Sequence, residues 1–219
     1  MRKVIICLVF VFACLNLLAQ TETASLAKSL LIKVNPLSLF DPRYPTLQTS
    51  VEGYYGRVGL TYTFGPAINT FLWKKPELDG TQLSYKGSKH KVSAQYRWKQ
   101  RLIGVEYFTT AFQKERENGE YYAESSTTYN SYDYVKQKVN VWGMALKVGV
   151  MHHLNERFFL VYTNSFGVRE QTNRFTEARN LQAHQESSSY RWGIANNVPE
   201  GTKSYPHFAI ELAFGYKIF

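Results

Sequence analysis

An all-β fold of eight antiparallel strands is predicted for this 219-residue chain by three observations. After an apolar N-terminal segment, side chains alternate in size and polarity with period two almost to the last residue, the spacing at which a strand's side chains change face. No stretch shows a capped period of 3.6. The connections alternate between tight polar turns and long stretches rich in Gly, Ser, Thr, Asn and charge, as expected where consecutive strands run up and down beside one another.

The chain opens with Arg2 and Lys3, an apolar run from Val4 to Leu15, and Leu17-Leu18-Ala19-Gln20 before the polar Thr21. A basic start, a short apolar core and a small residue at its end mark a secretory signal peptide, expected over residues 1–20, with 21–219 as one domain. The rival reading, a retained anchor, needs roughly 20 apolar residues, more than this run supplies. Both cysteines, Cys7 and Cys14, fall in this segment, so an exported chain cut after it has no thiolate or disulfide chemistry.

Strands are expected at Ser29–Leu39, Leu47–Tyr55, Arg57–Gly65, His90–Trp98, Leu102–Phe112, Val135–His152, Phe158–Arg169 and Tyr205–Phe219. Tight turns join them around Tyr55-Gly56-Arg57, Lys99-Gln100-Arg101 and Leu154-Asn155-Glu156-Arg157, each ending in Arg. The other connections are Asp41–Thr46 and three expected long loops, Pro66–Lys89, Lys114–Tyr134 and Gln171–Ser204. Short turns at one rim and long loops at the other are the layout of an up-and-down transmembrane β-barrel, with its short turns in the periplasm and its long loops outside the cell.

The two faces differ in size as well as polarity. In the last strand one parity reads Phe208, Ile210, Leu212, Phe214, Tyr216, Ile218, and the other His207, Ala209, Glu211, Ala213, Gly215, Lys217. The sixth and seventh strands split the same way, with Leu146, Val148, Leu160 and Phe166 set against Lys147, Gly149, Ser165 and Gly167. Gly, Ala, Ser and Thr are the sizes that fit the crowded inside of a narrow barrel, so the bulky apolar face is expected to meet lipid. The inner face also carries Lys33, Arg97, Lys147 and Lys217 against Glu52, Glu106 and Glu211, a near-neutral set from which an interior ionic network is expected. Tyr96, Trp98, Phe158 and Tyr216 gather at the short-turn rim, where a bilayer interface selects aromatic rings.

The segment ending Leu18-Ala19-Gln20, the stretch Lys33-Val34-Asn35-Pro36-Leu37-Ser38-Leu39, the following Ser50-Val51-Glu52-Gly53-Tyr54-Tyr55, and the ending Phe214-Gly215-Tyr216-Lys217-Ile218-Phe219 resemble the small eight-stranded outer-membrane barrels typified by the OmpA membrane domain and OmpX, in a Bacteroidetes-type variant. The resemblance implies a Gram-negative outer membrane. It also implies recognition by the barrel assembly machinery through a C-terminal signal of Phe214, Tyr216 and Phe219. Phe219 departs from that signal in register, falling one residue out of phase with the apolar set.

Charge and motifs narrow the function. Without Arg2 and Lys3 the chain has 24 basic and 17 acidic side chains, spread without a Lys/Arg block, so no nucleic-acid partner is expected. No phosphate loop, Cys-x-x-Cys or His-Glu-x-x-His occurs, and the adjacent His152 and His153 point to opposite faces of a strand; neither metal nor cofactor is expected. Eight strands enclose an interior that side chains fill, which leaves no room for a wide pore. Tyr121, Tyr122, Tyr129 and Tyr132 lie in the expected loop Lys114–Tyr134, and tyrosines give broad amphipathic contact area at low entropic cost, a surface for a protein or glycan ligand. The expectation is a non-enzymatic outer-membrane protein with a structural or surface-binding role and outer-membrane lipid around it. Two alternatives stand beside it. One is a rim-located lipid-modifying enzyme built on His207 and Glu211, since a nucleophile needs a base within hydrogen-bond reach. The other is a soluble periplasmic lipocalin-like binder.

Overall fold

A computed structural model describes residues 28–41, 45–68, 81–122, 128–185 and 200–219. The expected signal peptide, residues 1–20, lies outside them. The strands are β1 (Lys28–Asn35), β2 (Gln48–Tyr55), β3 (Val58–Pro66), β4 (Thr81–Trp98), β5 (Arg101–Tyr122), β6 (Thr128–His153), β7 (Phe158–Arg179), β8 (Gln182–Gln185) and β9 (Gly201–Lys217). A 3-10 turn, Pro36–Phe40, follows β1. Each strand from β1 to β6 pairs antiparallel with the next. β9 then pairs with both β7 and β1, so eight strands close in a ring. The short β8 lies along Thr128–Ser131 of β6.

Strand lengths differ from the sequence expectation. Much of what composition marks as loop is strand: β4 begins at Thr81 instead of His90, β5 runs to Tyr122, β6 starts at Thr128, β7 continues to Arg179 and β9 starts at Gly201. Only residues 69–80, 123–127 and 186–199 of the three expected long loops lie outside the described residues. These arms lack the alternation of bulky apolar against small residues. Their extended form rests on the ladder, which continues between β5 and β6 from Arg101↔Val150 to Tyr122↔Tyr129 and satisfies the backbone whatever the side chains. β1 is shorter than expected because Pro36 has no N–H to give to a ladder and opens the 3-10 turn. Ser38 Oγ closes that turn, 2.6 Å from the carbonyl oxygens of both Asn35 and Thr46.

The outward face near the short turns is apolar on every long strand. Ile32, Val51, Leu60, Val92, Ile103, Leu146, Val148, Phe166, Phe208 and Phe214 are exposed there. Along β7 this surface runs from Phe158 to Val168, and then Glu170, Thr172 and Arg174 take the same parity. The turn arginines lie against outward rings at that rim. Arg57 Nη1 donates to Tyr96 Oη at 3.2 Å, Arg157 Nη1 to Tyr216 Oη at 3.0 Å, and Arg101 sits 6.0 Å from the Trp98 ring centroid.

Inside the ring, Leu31, Tyr54, Leu102, Met151, Phe159 and Val161 pack together at the short-turn end and form an apolar floor. Two glycines make space for it. A Cβ on Gly215 would stand 2.1 Å from the Phe159 ring, and one on Gly59 2.5 Å from the Tyr54 ring. Higher up, Tyr85, Phe108, Phe112, Val139, Val141 and Ala145 form a second cluster. A third, at the tips of β5 and β6, contains Tyr121, Tyr132 and Val135 with Phe175 of β7 beside them.

Candidate functional site

Between the floor and the upper clusters lies a layer of charge, reached from six strands of the ring by the inward parity of β1, β2, β4, β5, β6 and β9. Lys33 of β1 pairs diagonally with Glu52 of β2, two residues from its register partner Ser50, and Thr61 Oγ1 of β3 donates to Glu52 Oε2 at 3.1 Å. Across the lumen, Lys147 of β6 holds Glu106 of β5 at 3.1 Å and Glu211 of β9 at 2.8 Å. Lys91 of β4 reaches the same two carboxylates, with Glu106 at 3.7 Å and Glu211 in direct contact. Thr163 Oγ1 adds a donor to Glu211 at 3.2 Å. Two lysines shared between two glutamates form a closed, neutral square in which each charge has two opposite neighbours. That is the condition under which buried ions are tolerated, because desolvation otherwise exceeds their attraction.

Five of the seven residues expected in this network, Lys33, Glu52, Glu106, Lys147 and Glu211, therefore meet in two groups. Arg97 and Lys217 do not join them. Arg97 sits lower, over the Tyr54 ring at 4.4 Å, where a guanidinium meets the negative face of the aromatic system. Lys217 is exposed at the end of β9, its backbone N–H bonded to Arg157 O at 2.8 Å. Lys91 is the member that sequence reasoning missed, although its parity is that of Arg97 and so already marked it as inward. Of the C-terminal residues, Phe214 is exposed opposite Val34 and Leu160, and Tyr216 receives the Arg157 hydrogen bond. Phe219 follows the end of β9; its carbonyl accepts from Leu30 N at 3.2 Å and its ring is exposed.

The tyrosines assigned to a binding loop belong to paired strands. Tyr121 and Tyr132 are buried inward, with Tyr121 stacked on Phe175 at 4.0 Å and 12° and tilted against Tyr132 at 6.0 Å. Burial, then the negative charge of Glu200, pushes the Tyr121 hydroxyl up from its ordinary value. They are a core of the upper wall and present no free ring to a partner. Tyr122 and Tyr129 are register partners in the backbone ladder at the tip of the same hairpin.

His207 and Glu211, the two residues expected to form a rim site, are not hydrogen-bonded to each other among the described residues. Glu211 is fully engaged by Lys91, Lys147 and Thr163, and both ring nitrogens of His207 lack a hydrogen-bond partner. A different histidine is connected. On the outward face near the top of the apolar surface, Ser88 Oγ lies 3.0 Å from His90 Nε2, and Tyr62 Oη lies 2.9 Å from His90 Nδ1. The Phe64 ring packs on this imidazole, its centroid 5.2 Å away. Among the described residues no group of three His, Cys, Asp or Glu is placed to hold a metal ion. Comparison with models of protein families, with curated proteins and with solved structures finds no match to this chain.

Proposed function

We propose that this chain is an outer-membrane β-barrel of eight strands, with a structural role in the envelope and a surface for binding above the bilayer, and that it is not an enzyme. One observation carries the reading: the ring is inverted, with bulky apolar side chains exposed outside while Glu52 and Glu106, at 0% and 2% exposure, are buried within. In water such a surface would leave a broad belt of hydrocarbon exposed, and soluble monomers rarely expose large contiguous apolar patches. From Phe158 to Val168 the chain advances ten residues, about 33 Å along the strand, and a tilt of about 40° converts that into a band about 25 Å tall, the apolar height of an outer-membrane barrel. The arginine and aromatic pairs at the short turns then anchor the periplasmic rim.

Its partners in this reading are outer-membrane lipid, the barrel assembly machinery acting on the β9 terminus, and a surface protein or glycan held by the upper strands. The test is membrane fractionation together with depth-dependent quenching of Trp98 and Trp142 by brominated lipid. Recovery in the outer membrane with both tryptophans quenched supports the reading. A soluble protein with unquenched tryptophans overturns it.

A second reading, a lipid-modifying enzyme at the rim, is favoured by the hydrogen-bonded chain of Ser88, His90 and Tyr62. A serine beside an oriented imidazole is the elementary form of an activated nucleophile. Wild-type protein that cleaves a lipid ester, with Ser88→Ala abolishing the cleavage, would establish it; a protein inert toward lipid esters keeps the chain as an interfacial hydrogen-bond cluster.

A further inference from the structure

The charges of the interior square and of Lys33 and Glu52 are balanced, but the level just above them is not. Lys89 lies two residues up β4 from Lys91, on the same inward parity, and among the described residues has neither an ion pair nor a hydrogen bond. Arg169 of β7 has its guanidinium 5.8 Å from the Tyr205 ring, and its Nε is shut from solvent with no acceptor. His207 of β9 stacks on Phe108 at 4.3 Å, and its two ring nitrogens are likewise buried and unpaired. The register brings Lys89 and His207 each within two residues of Arg169 along the ladder, with Arg169 aligned through Gly143 and Phe108 to Lys91, two residues below Lys89. His207 stands opposite Gly167, two residues before Arg169, while Arg169 stands opposite Gly143 and Gly143 opposite Phe108. Lys89, Lys91 and Arg169 all lie within electrostatic reach of the imidazole.

The carboxylates within reach of Lys89 are Asp41, Glu211 and Glu106. The glutamates are held by Lys91 and Lys147, and Asp41, which has a partner of its own, is in no salt bridge with Lys89 among the described residues. Buried polar nitrogens without partners are rare in folded proteins, and Arg169 Nε and the His207 ring, from two walls, together with the half-buried Lys89 ammonium from a third, share a single explanation: an acceptor that comes from outside the chain. We propose that Lys89, Arg169 and His207 form an oxyanion site inside the ring that takes a phosphate group. Phosphate suits it better than a carboxylate. It offers acceptor oxygens in three directions to match donors from β4, β7 and β9, and it carries up to two charges where a carboxylate carries one. Arginine and lysine together are the usual donors for such a group. Access is from the long-strand end, since the apolar floor closes the other.

The test uses the full chain in detergent micelles and in buffer free of phosphate, titrated by calorimetry with inorganic phosphate, methyl phosphate and acetate. Saturable binding of inorganic phosphate is expected, with acetate at least tenfold weaker. Retention of methyl phosphate identifies the source as a phosphate ester, and its exclusion identifies the free ion. Arg169→Gln and Lys89→Gln should each weaken binding about tenfold, whereas Lys138→Gln on the outer face should leave it unchanged. Should a site variant fail to fold, the wild type still decides the matter, because the His207 ring resonances, assigned with His207→Gln, must shift on phosphate saturation. Absence of saturable binding, acetate binding as tightly as phosphate, or His207 resonances that do not move would overturn the proposal.

Discussion

The lower ring and the upper wall use one sheet in two ways. Near the short turns all eight ring strands are present, outward residues are apolar and inward residues are small, aromatic or ionic. Higher up β3 has ended at Pro66, and β4 to β7 continue as a wall with polar residues such as Lys138, Glu170 and Arg174 outside and Tyr121, Tyr132, Val135 and Phe175 inside. The lower ring is held by side chains from every strand, whereas the wall is held mostly by its ladder and one aromatic stack. Closure makes stability a shared property below. Above, it is local.

The sharpest way to break this contrast is to remove one corner of the charge square. Glu211→Gln leaves Lys91 and Lys147 competing for Glu106, and loss of one partner from a buried ionic group costs about 3–5 kcal/mol, to be read from urea unfolding in micelles. A control sharpens it. Lys33→Met combined with Glu52→Leu should be much milder than Glu52→Leu alone, because the double variant leaves no orphaned ion. Next in size is Gly215→Val, whose side chain would enter the Phe159 ring; overpacking of this kind costs about 1–3 kcal/mol and should lower the unfolding midpoint of the whole ring.

In the wall, Phe175→Ala removes the stacked partner of Tyr121, a loss of about 1 kcal/mol that should appear as faster hydrogen exchange at the tips of β5 and β6 with little change in global unfolding. If that variant instead unfolds the lower ring, the division between the regions fails. The smallest effect belongs to Arg157→Ala. It should leave the unfolding midpoint unchanged within error while altering fluorescence-detected depth at the short-turn rim.

The two regions were also unequally legible in the sequence. The lower ring can be read because burial on one side forces a strict alternation: Phe208, Ile210 and Phe214 against His207, Glu211 and Ala213 leave one assignment of faces. That parity alone puts Lys147, Glu106 and Glu211 on a common side. Which of them meet depends on the offset between strands, such as Leu146↔Phe166 and Glu106↔Ala145, and no single strand carries that information. Lys91 shares the inward parity of Arg97 on the same strand and is legible by that rule as well. The wall is opaque for a different reason. Segments such as Thr128–Tyr134 have the polar, hydroxyl-rich composition of loops, and their strand state comes from backbone pairing with β5, to which composition is blind. Tyr121 and Tyr132 consequently read as surface contacts although they are core.

The apolar floor also makes the lumen one-ended. In the proposed membrane barrel, water and ions entering from the long-strand mouth would stop at Tyr54, Met151 and Phe159. A voltage applied across a planar bilayer holding the protein would drop over those rings, leaving the lysine and glutamate square at nearly the potential of the outer bath, and steady current through single molecules would be nil.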